Sequence, residues 1–426
     1  MSITDIERPV HAAASAIRHP GSEAEAIRFA KEAAEKIAQL ARNPETHQQL
    51  PYEQADILSN YGLTAIFVPK RFGGLGASIK TVVEVVRIIS TADGGVGQLL
   101  QIHNVMIRGV FNRPDDEFRA GLIRDILAGK RFGNALAEVG GKNKFDHATR
   151  VTRDEDGNYR LNGSKFYSTG SFLAEWISLT AASDNGPLGV LLNRNTPGLT
   201  LEDDWRAFGQ QHSVSGTVRF DNVLVDERFL PKPGAAGGGM PRTGLTWPQI
   251  LHAAIDTGIA RGALEAATDY LRNNARPWVD AEVERAAEEP HIIKRVGEYA
   301  VAVRSAEALL RYAADVFDQH LADPEDEALQ DELILAVASV RSQSDSASLF
   351  VSSDMFSLLG ASASLNKWNL NRFWADARVH TTHDPIRWRL HHVGNYYLNG
   401  VPPDEYGAAI RAKRAELAAA ANPTRS

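Results

Sequence analysis

The chain has no cysteine among its 426 residues. This absence excludes a disulfide framework, a thiolate nucleophile and a cysteine-ligated metal site. Any redox chemistry must therefore come from a bound cofactor. The absence of cysteine also fits a reducing compartment, and we expect the protein to be cytoplasmic.

Long apolar runs and an excess of positive charge are also missing. No stretch approaches the roughly 18 consecutive apolar residues of a membrane span, and the acidic N-terminal segment lacks the apolar centre of a signal peptide. The formal net charge is −7 and the pI is near 6.0. This charge argues against nucleic acid or an anionic membrane as a partner, so we expect a soluble protein that binds neither.

A dinucleotide-binding fingerprint is absent as well. The glycines at residues 73–76 join two predicted helices, and those at 237–239 lie in a Pro/Gly-rich linker. Neither cluster follows a strand and opens a helix, as a pyrophosphate-binding loop must. We therefore expect no nicotinamide site, so electrons must come from a partner protein.

The hydrophobic periodicity divides the chain into four parts. Helical spacing up to residue 131 gives way to short segments of period two, including a hairpin around the turn at 154–158. After the linker at 231–244, helical spacing returns and continues to about residue 398. We predict a helical domain at 1–131, a β domain at 132–232 and a helical bundle at 233–400. The tail at 401–426 contains an Ala/Arg-rich helix that could reach a neighbouring subunit.

The segment HTTHDP, which begins at His380, is the most informative stretch. Asp384 followed by Pro385 predicts a helix N-cap and a first helical residue. His380 and His383 would then lie on the loop that precedes this helix, where their side chains can point into a cavity. A loop of imidazoles and hydroxyls suggests oxygen chemistry rather than proton abstraction from carbon.

The order of helices, strands and helices, together with five motifs, resembles the acyl-CoA dehydrogenase superfamily, and more narrowly its reduced-flavin monooxygenases of sulfur metabolism. The motifs are GNALAE from residue 133, LNGSKFYSTG from 161, DDWRAFGQ from 203, NARPW from 274 and HDPIRW from 383. The resemblance implies a mainly α fold with a central β-barrel-like domain and a C-terminal four-helix bundle. It also implies a homotetramer.

One departure from the dehydrogenases decides the expected chemistry. Their C-terminal loop holds a glutamate that removes a proton from an acyl thioester, whereas the matching residues 379–383 contain no carboxylate. Loss of a general base costs about 10²- to 10⁴-fold in rate. The resemblance therefore implies a two-component monooxygenase that receives reduced FMN from an NAD(P)H-dependent flavin reductase and forms a C4a-hydroperoxyflavin. The expected substrate is an organosulfur compound, namely a sulfide, sulfone or sulfinate.

Three alternatives stay open. The same flavin chemistry could hydroxylate nitrogen or an aromatic ring. An FAD-dependent acyl-CoA dehydrogenase could use Asp384 as its base. Finally, the protein could be an inactive flavin or ligand binder.

The resemblance also assigns catalytic residues. His383 is the first candidate for donating a hydrogen bond and a proton to the activated oxygen, because an imidazole titrates near neutrality. His103 matches a second family histidine, although an isolated helical histidine is usually structural. Asn134 and Ser168 would face the flavin ring and bond its N5/O4 edge or the distal oxygen.

The candidate cofactor-binding residues surround the same ring. Arg276 matches an arginine that reaches the flavin phosphate, a role that suits the donor fork of a guanidinium. The full set is Asn134, Tyr167, Ser168, Thr169, Trp205, Arg276 and His380. A metal site built from His380, His383, His391 and His392 is not expected, since no carboxylate or cysteine completes a tetrahedron.

Overall fold

The computed structural model describes residues 17–140, 147–184, 186–229, 241–403 and 412. The predictions for the N-terminal segment, for most of the linker at 231–244 and for the helix in the tail at 401–426 lie outside these residues. Within them, no helix is both long enough and apolar enough to cross a membrane.

The N-terminal part is helical, as its periodicity predicts. Its helices are α1 (Glu23–Arg42), α2 (Pro44–His47), α3 (Tyr52–Asn60), α4 (Ile79–Ala92), α5 (Gly94–Phe111) and α6 (Glu117–Leu127). Side chains of Ser22, Ser78 and Asp93 cap α1, α4 and α5 by accepting backbone N–H bonds. The sequence favours helical structure through to residue 50, but Pro44 starts a separate helix because proline cannot continue α1.

The central part consists of two small sheets. Its strands are β1 (Phe132–Ala135), β2 (Arg150–Arg153), β3 (Tyr159–Lys165), β4 (Trp176–Ala181), β5 (Leu188–Asn193), β6 (Leu199–Leu201) and β7 (Val218–Val225). The strand orders are β1-β4-β5 and β2-β3-β7-β6. The predicted hairpin is confirmed as the antiparallel pair β2 and β3. The sequence does not predict β1 and β6 as strands, because four and three residues are too few for a clear period.

Long helices form the C-terminal part. They are α7 (Thr246–Asn273), α8 (Pro290–Ala322), α9 (Glu327–Asp354), α10 (Phe356–Leu359), α11 (Asn371–His380) and α12 (Ile386–Asn399). Helix α7 is buried along most of its length and packs against α4, α5, α8 and α9. The helical, β and helical order confirms the predicted fold class, and α7 is the element on which the other helices of the core converge.

Helix α11 connects the β part to the helical core. A Cβ atom on Gly209 would lie 2.0 Å from the carbonyl oxygen of Ala375, so only glycine allows the loop to approach the helix this closely. The next residue is bound there, because the backbone N–H of Gln210 donates to Asp376 Oδ1 at 2.6 Å. The loop before β7 is therefore fixed on α11 one helical turn before His380.

The substitution Gly209→Ala is expected to destabilise the protein by about 1–3 kcal/mol, the usual cost of forcing an extra group into a packed contact. The added methyl would push the loop away from α11 and break the bond between Gln210 and Asp376. Chemical unfolding of both proteins measures the loss. The matched control is Gly297→Ala, an exposed position inside α8 with no atom near the added carbon. There we expect a gain of roughly 0.5–1 kcal/mol, because alanine favours helix.

Candidate active site

The turn after α11 is held by an ion pair rather than by a helix cap. The predicted N-cap role of Asp384 is wrong: Pro385 occupies that position, and no side chain caps α12. Asp384 instead accepts hydrogen bonds from the guanidinium of Arg389, with Nε at 3.0 Å. Burial opposes ionisation of Asp384, but Arg389 lowers the pKa of this carboxyl below its ordinary value. A carboxylate held in this way is a poor substitute for a general base.

His380 is the last residue of α11 rather than part of the loop, and it is buried. Its Nδ1 lies 2.6 Å from Asp256 Oδ1, and its Nε2 lies 2.9 Å from His252 Nδ1. Both partners are on α7. Because each ring nitrogen is already engaged, the geometry favours a positioning role for His380 over the expected direct contact with a cofactor.

His383 is the histidine of this turn that solvent reaches. Its ring stacks on that of His252, with centroids 4.3 Å apart and planes inclined by 31°. The residue is exposed, although protein groups pack closely around its ring. This desolvation, followed by the effects of His380 and Arg341, lowers the pKa of His383 to about 4. His383 is thus neutral at pH 7, with one N–H to donate and one lone pair to accept, unlike the near-neutral titration expected from the sequence.

A fully buried ion pair, formed by Arg341 and Asp256, contacts His380 through the Asp256 carboxylate. Arg341 on α9 donates through Nη1 to Asp256 Oδ2 at 2.5 Å and through Nε to Gln249 Oε1 at 3.1 Å. Burial alone would raise the pKa of Asp256, but His380 and Arg341 outweigh it, so the pKa is lowered. Asp256 is therefore a permanent carboxylate beneath His380.

Asp345, one turn after Arg341 on α9, gives the region a predicted pH dependence. Burial and the charge of Asp256 raise the pKa of Asp345 from 3.8 to about 6. The folded state then binds more protons than the unfolded state between these two values. Its stability therefore falls as pH rises through this window, by up to about 3 kcal/mol at 1.36 kcal/mol per unit.

The substitution Asp345→Asn is accordingly expected to stabilise the protein at pH 8 and to change little at pH 4. Urea unfolding at both pH values measures the difference. Glu325→Gln serves as the control, because Glu325 is exposed and forms no ion pair with any described residue. Equal effects of Asp345→Asn at the two pH values would contradict the raised pKa.

Four buried polar side-chain atoms of the described β part have no protein partner, and two of them belong to predicted site residues. Asn134 on β1 and Ser168 after β3 lie on adjacent segments, since the Asn134 N–H donates to the Thr169 carbonyl at 3.1 Å. Within the described part of the chain, Asn134 Oδ1 and Ser168 Oγ are buried without a hydrogen-bond partner. Buried polar atoms of this kind call for a bound group. An amide and a hydroxyl side by side fit the polar edge of a flavin ring.

Aromatic side chains stand beside these polar groups. The Tyr167 ring lies 6.0 Å from that of Trp205, and Trp205 Nε1 donates to the Gln210 carbonyl at 2.9 Å. The Thr169 hydroxyl is bonded to Ser215 at 2.9 Å. A groove of about 430 Å³ opens next to Trp205 and Val214. A larger groove of about 1180 Å³, between α1, α4 and α7, includes none of the sequence-predicted site residues.

Backbone strain is concentrated in the same region. Tyr167, Gln210 and Val214 have φ values of +56°, +53° and +45°. Positive φ costs roughly 1–3 kcal/mol for residues other than glycine, and it is rarest for β-branched side chains such as valine. Strained backbone that the surrounding structure maintains is typical of binding sites.

His103 occupies a different environment from the other candidates. Its Nδ1 accepts the Phe132 N–H at 3.1 Å, and its Nε2 lies 2.8 Å from the Thr64 carbonyl. Burial lowers its pKa to about 4. With both nitrogens used by the backbone, the geometry favours a structural role for His103, which attaches α5 to the start of β1.

Arg276 lies beyond the end of α7, apart from the other predicted residues. Its side chain is exposed and makes no ion pair with any residue that the structure describes. Its guanidinium is therefore available to bind an anion.

A second histidine cluster lies at the N-terminus of α5. His212 Nδ1 is 2.7 Å from Asp93 Oδ2, and His47 Nε2 is 3.9 Å from the same oxygen. The three ligand atoms lie within 4.8 Å of one another. Burial opposes protonation of His212, but Asp93 more than offsets it and raises its pKa. A protonated His212 already neutralises Asp93, so the cluster is a buried ion pair that fixes the loop before β7.

Comparison with known proteins shows the family of this chain. The acyl-CoA dehydrogenase N-terminal domain matches residues 22–130, and the C-terminal domain matches residues 250–388. Dibenzothiophene monooxygenase of Rhodococcus erythropolis is 34% identical over 372 residues, which are 82% of this chain and 87% of that protein. The chain belongs to the acyl-CoA dehydrogenase superfamily, in its flavin-dependent monooxygenase branch.

Solved structures of this branch share the whole architecture. FMN-bound TdsC from Paenibacillus sp. A11-2 aligns with a TM-score of 0.82 and 30% identity, over 89% of this chain and 98% of that one. Methanesulfinate monooxygenase MsuC from Pseudomonas fluorescens aligns with a TM-score of 0.80 and 26% identity, over 88% and 98%.

The sequence analysis misses four residues that the structure places beneath the predicted site of this monooxygenase. They are His252, Asp256, Arg341 and Asp345. Each pair is spaced by four residues, which places its members on one face of α7 or α9. The available signal was the presence of charged groups on a helix face that otherwise consists of apolar and small residues.

Proposed function

We propose that the protein is a two-component monooxygenase that uses reduced FMN and dioxygen to oxygenate an organosulfur compound. The observation that carries this proposal is the turn between α11 and α12. It exposes the neutral imidazole of His383, and the adjacent carboxylate, Asp384, is bound to Arg389. A dehydrogenase needs a free carboxylate base here, whereas an oxygenase needs hydrogen-bond donors.

The chain's own groups have three tasks. Asn134 and Ser168 are available to bond the polar edge of the ring, and Tyr167 and Trp205 to cover it. His383 donates a hydrogen bond from a neutral N–H. When bound, reduced FMN supplies the electrons for transferring one oxygen atom of dioxygen. Packing around the ring excludes water, which protects the reaction from loss of oxygen as hydrogen peroxide.

The relatives support sulfur as the oxygenated atom. One is named a dibenzothiophene monooxygenase and another a methanesulfinate monooxygenase, so sulfides, sulfones and sulfinates are the substrate class that we infer. These two relatives are named for sulfur compounds of different size. A panel of substrates must therefore include both aromatic and small aliphatic members.

The decisive experiment supplies reduced FMN from an NADH-dependent flavin reductase to the purified protein under ¹⁸O₂. Dibenzothiophene, its sulfone and methanesulfinate are the substrates, and mass spectrometry detects ¹⁸O in the product. We expect incorporation that requires both the protein and FMN. Anaerobic reduction of bound FAD by an acyl-CoA, without oxygen transfer to any sulfur compound, would overturn the proposal.

The reductase, the location and the assembly belong to the same proposal. A transient NAD(P)H-dependent reductase supplies the flavin in the cytoplasm. Four chains assemble into a homotetramer, for which exposed apolar side chains on α8 and α12 provide surface, among them Val301 at 66% and Leu398 at 83%. Arg276 would then reach the flavin phosphate of a neighbouring subunit. Light scattering during gel filtration measures the mass.

A further inference from the structure

A continuous row of buried polar side chains lies beneath His383. Arg341 bonds Asp256 Oδ2 at 2.5 Å, and Asp256 Oδ1 is 2.6 Å from His380 Nδ1. His380 Nε2 is in turn 2.9 Å from His252 Nδ1. Each of these side chains is less than a tenth exposed. The bonds connect α9, α7 and α11 in one line.

The carboxylate of Asp256 determines where the protons lie. An ionised carboxylate can only accept, so Nδ1 of His380 carries a proton. In a neutral His380, Nε2 is then a bare acceptor, and His252 must donate to it from Nδ1. It follows that Nε2 of a neutral His252 carries a lone pair and no proton.

That nitrogen is the open end of the row. His252 Nε2 makes no hydrogen bond to any residue that the structure describes. The ring packs against that of His383, which solvent reaches, with the ring centroids 4.3 Å apart. His103, for comparison, uses both of its nitrogens in bonds to the backbone. His252 uses one.

We propose that His252, His380 and Asp256 form a proton relay that serves the oxygenation proposed for this site, with His252 Nε2 as its outer end. The inference rests on the proposed function. A proton accepted at His252 Nε2 releases the Nδ1 proton of His252 to His380 Nε2. His380 becomes an imidazolium beside Asp256, one positive charge is gained, and no electron moves. The reverse transfer returns the proton from His252 Nε2 to the group that supplied it.

The electrostatics of the row favour moving the charge inward. Burial lowers the pKa of His252 well below its ordinary value, so this ring does not retain a second proton. His380 and Arg341 keep Asp256 ionised against its burial. On His380 the positive charge lies beside the Asp256 carboxylate, with Nδ1 2.6 Å from Oδ1, whereas His252 makes no hydrogen bond to a carboxylate of any described residue. Arg341 acts as a positioning residue, because its bonds to Gln249 and Asp256 fix the base of the relay.

The first test reads the tautomers directly, by NMR of the full-length protein labelled with ¹⁵N-histidine and free of flavin. In the neutral relay we expect His252 protonated at Nδ1 and bare at Nε2. Asp256→Asn should reverse this pattern, because an amide can donate to His380 Nδ1 and drive its proton to Nε2. Asp345→Asn, a nearby buried carboxylate with no bond to His380, is the matched control and should leave the pattern unchanged.

The second test measures turnover of the FMN-loaded enzyme. His252→Gln should lower product formation on the order of 10²-fold, as removal of a proton-transfer group does, while FMN binding is retained. The solvent deuterium isotope effect and the pH profile should change as well. His320→Gln, which replaces a buried histidine on α8 bonded to Thr243, should keep wild-type rates.

Either of two outcomes would overturn the relay. One is a neutral His252 protonated at Nε2, and the other is His252→Gln with an unchanged rate and isotope effect. If Asp256→Asn does not fold, the wild-type tautomers and His252→Gln still decide. Failure of the proposed function is recognised separately, because a wild-type protein that oxygenates no substrate leaves the tautomer result standing.

Discussion

Replacement of His383 by alanine is expected to separate oxygen consumption from product formation. Oxygen transfer should fall by about 10²- to 10⁴-fold, the usual effect of losing a proton-transfer group. Reduced flavin would still react with dioxygen, but without the neutral N–H of His383 near the reacting oxygen, more of it would end as hydrogen peroxide. The ratio of sulfoxidised product to NADH consumed, together with a peroxide assay, measures this uncoupling.

His391→Ala is the matched control for this experiment. His391 is an exposed histidine on α12, and its ring contacts lie with Trp388 and His392 rather than with His252. The control should keep the wild-type ratio of product to NADH. Unchanged coupling in the His383 variant would remove this residue from the reaction and would leave His252 as the remaining candidate for proton transfer.

The second large effect is expected on stability, from Arg341→Met. The side chains of Arg341 and Asp256 are both fully buried, and methionine would leave the carboxylate without its guanidinium. Breaking a buried ion pair from one side costs about 3–5 kcal/mol, because an uncompensated charge remains in the interior. Urea-induced unfolding, followed by circular dichroism, should show the midpoint moving to lower urea concentration.

A double-mutant cycle identifies the cause. Arg341→Met combined with Asp256→Leu removes both charges, so the double variant should be more stable than the sum of the single losses predicts. Arg285→Met is the control, since Arg285 is exposed and pairs with Glu288 on the surface. A change within about 0.5 kcal/mol is expected there. Strictly additive losses in the cycle would show that the pair does not act as a unit.

The sequence predicts the helices well because local signals set their ends. Pro290 starts α8, and Asp326 caps α9 by accepting the Leu329 N–H, both as the pattern indicates. The sequence is less informative where tertiary contacts decide. Helix α11 begins at Asn371, later than its apolar spacing suggests, after a short 3-10 helix at Asn366–Trp368.

The site is predicted in part, for a similar reason. Motifs identify Asn134, Ser168 and His383; the structure shows the first two with buried polar atoms that lack a protein partner and the third exposed, and their contact with a cofactor stays a prediction. Asp384 followed by Pro385 has the local pattern of a helix cap, but the cap is lost because Arg389, one turn into α12, offers a charged partner. Local propensity cannot include a competing ion pair that forms only when the chain folds.

The buried row beneath His383 shows the same limit more clearly. His252 and Asp256 are separated from His380 by more than 120 residues along the chain, and no local pattern connects them. Only the packing of α7 against α11 brings the three together. The part of this arrangement that the sequence shows is the helical spacing of His252 and Asp256 within a buried face.

Helix α11 contacts both the loop before β7 and the histidine of α7. Near its middle, Ala375 and Asp376 receive the loop that carries Trp205, and one turn later His380 holds the histidines. Evolution or engineering that reshapes the Trp205 loop for a bulkier molecule will therefore shift the imidazoles too. New specificity should arise more readily at exposed side chains such as Tyr167, which can change without disturbing that helix.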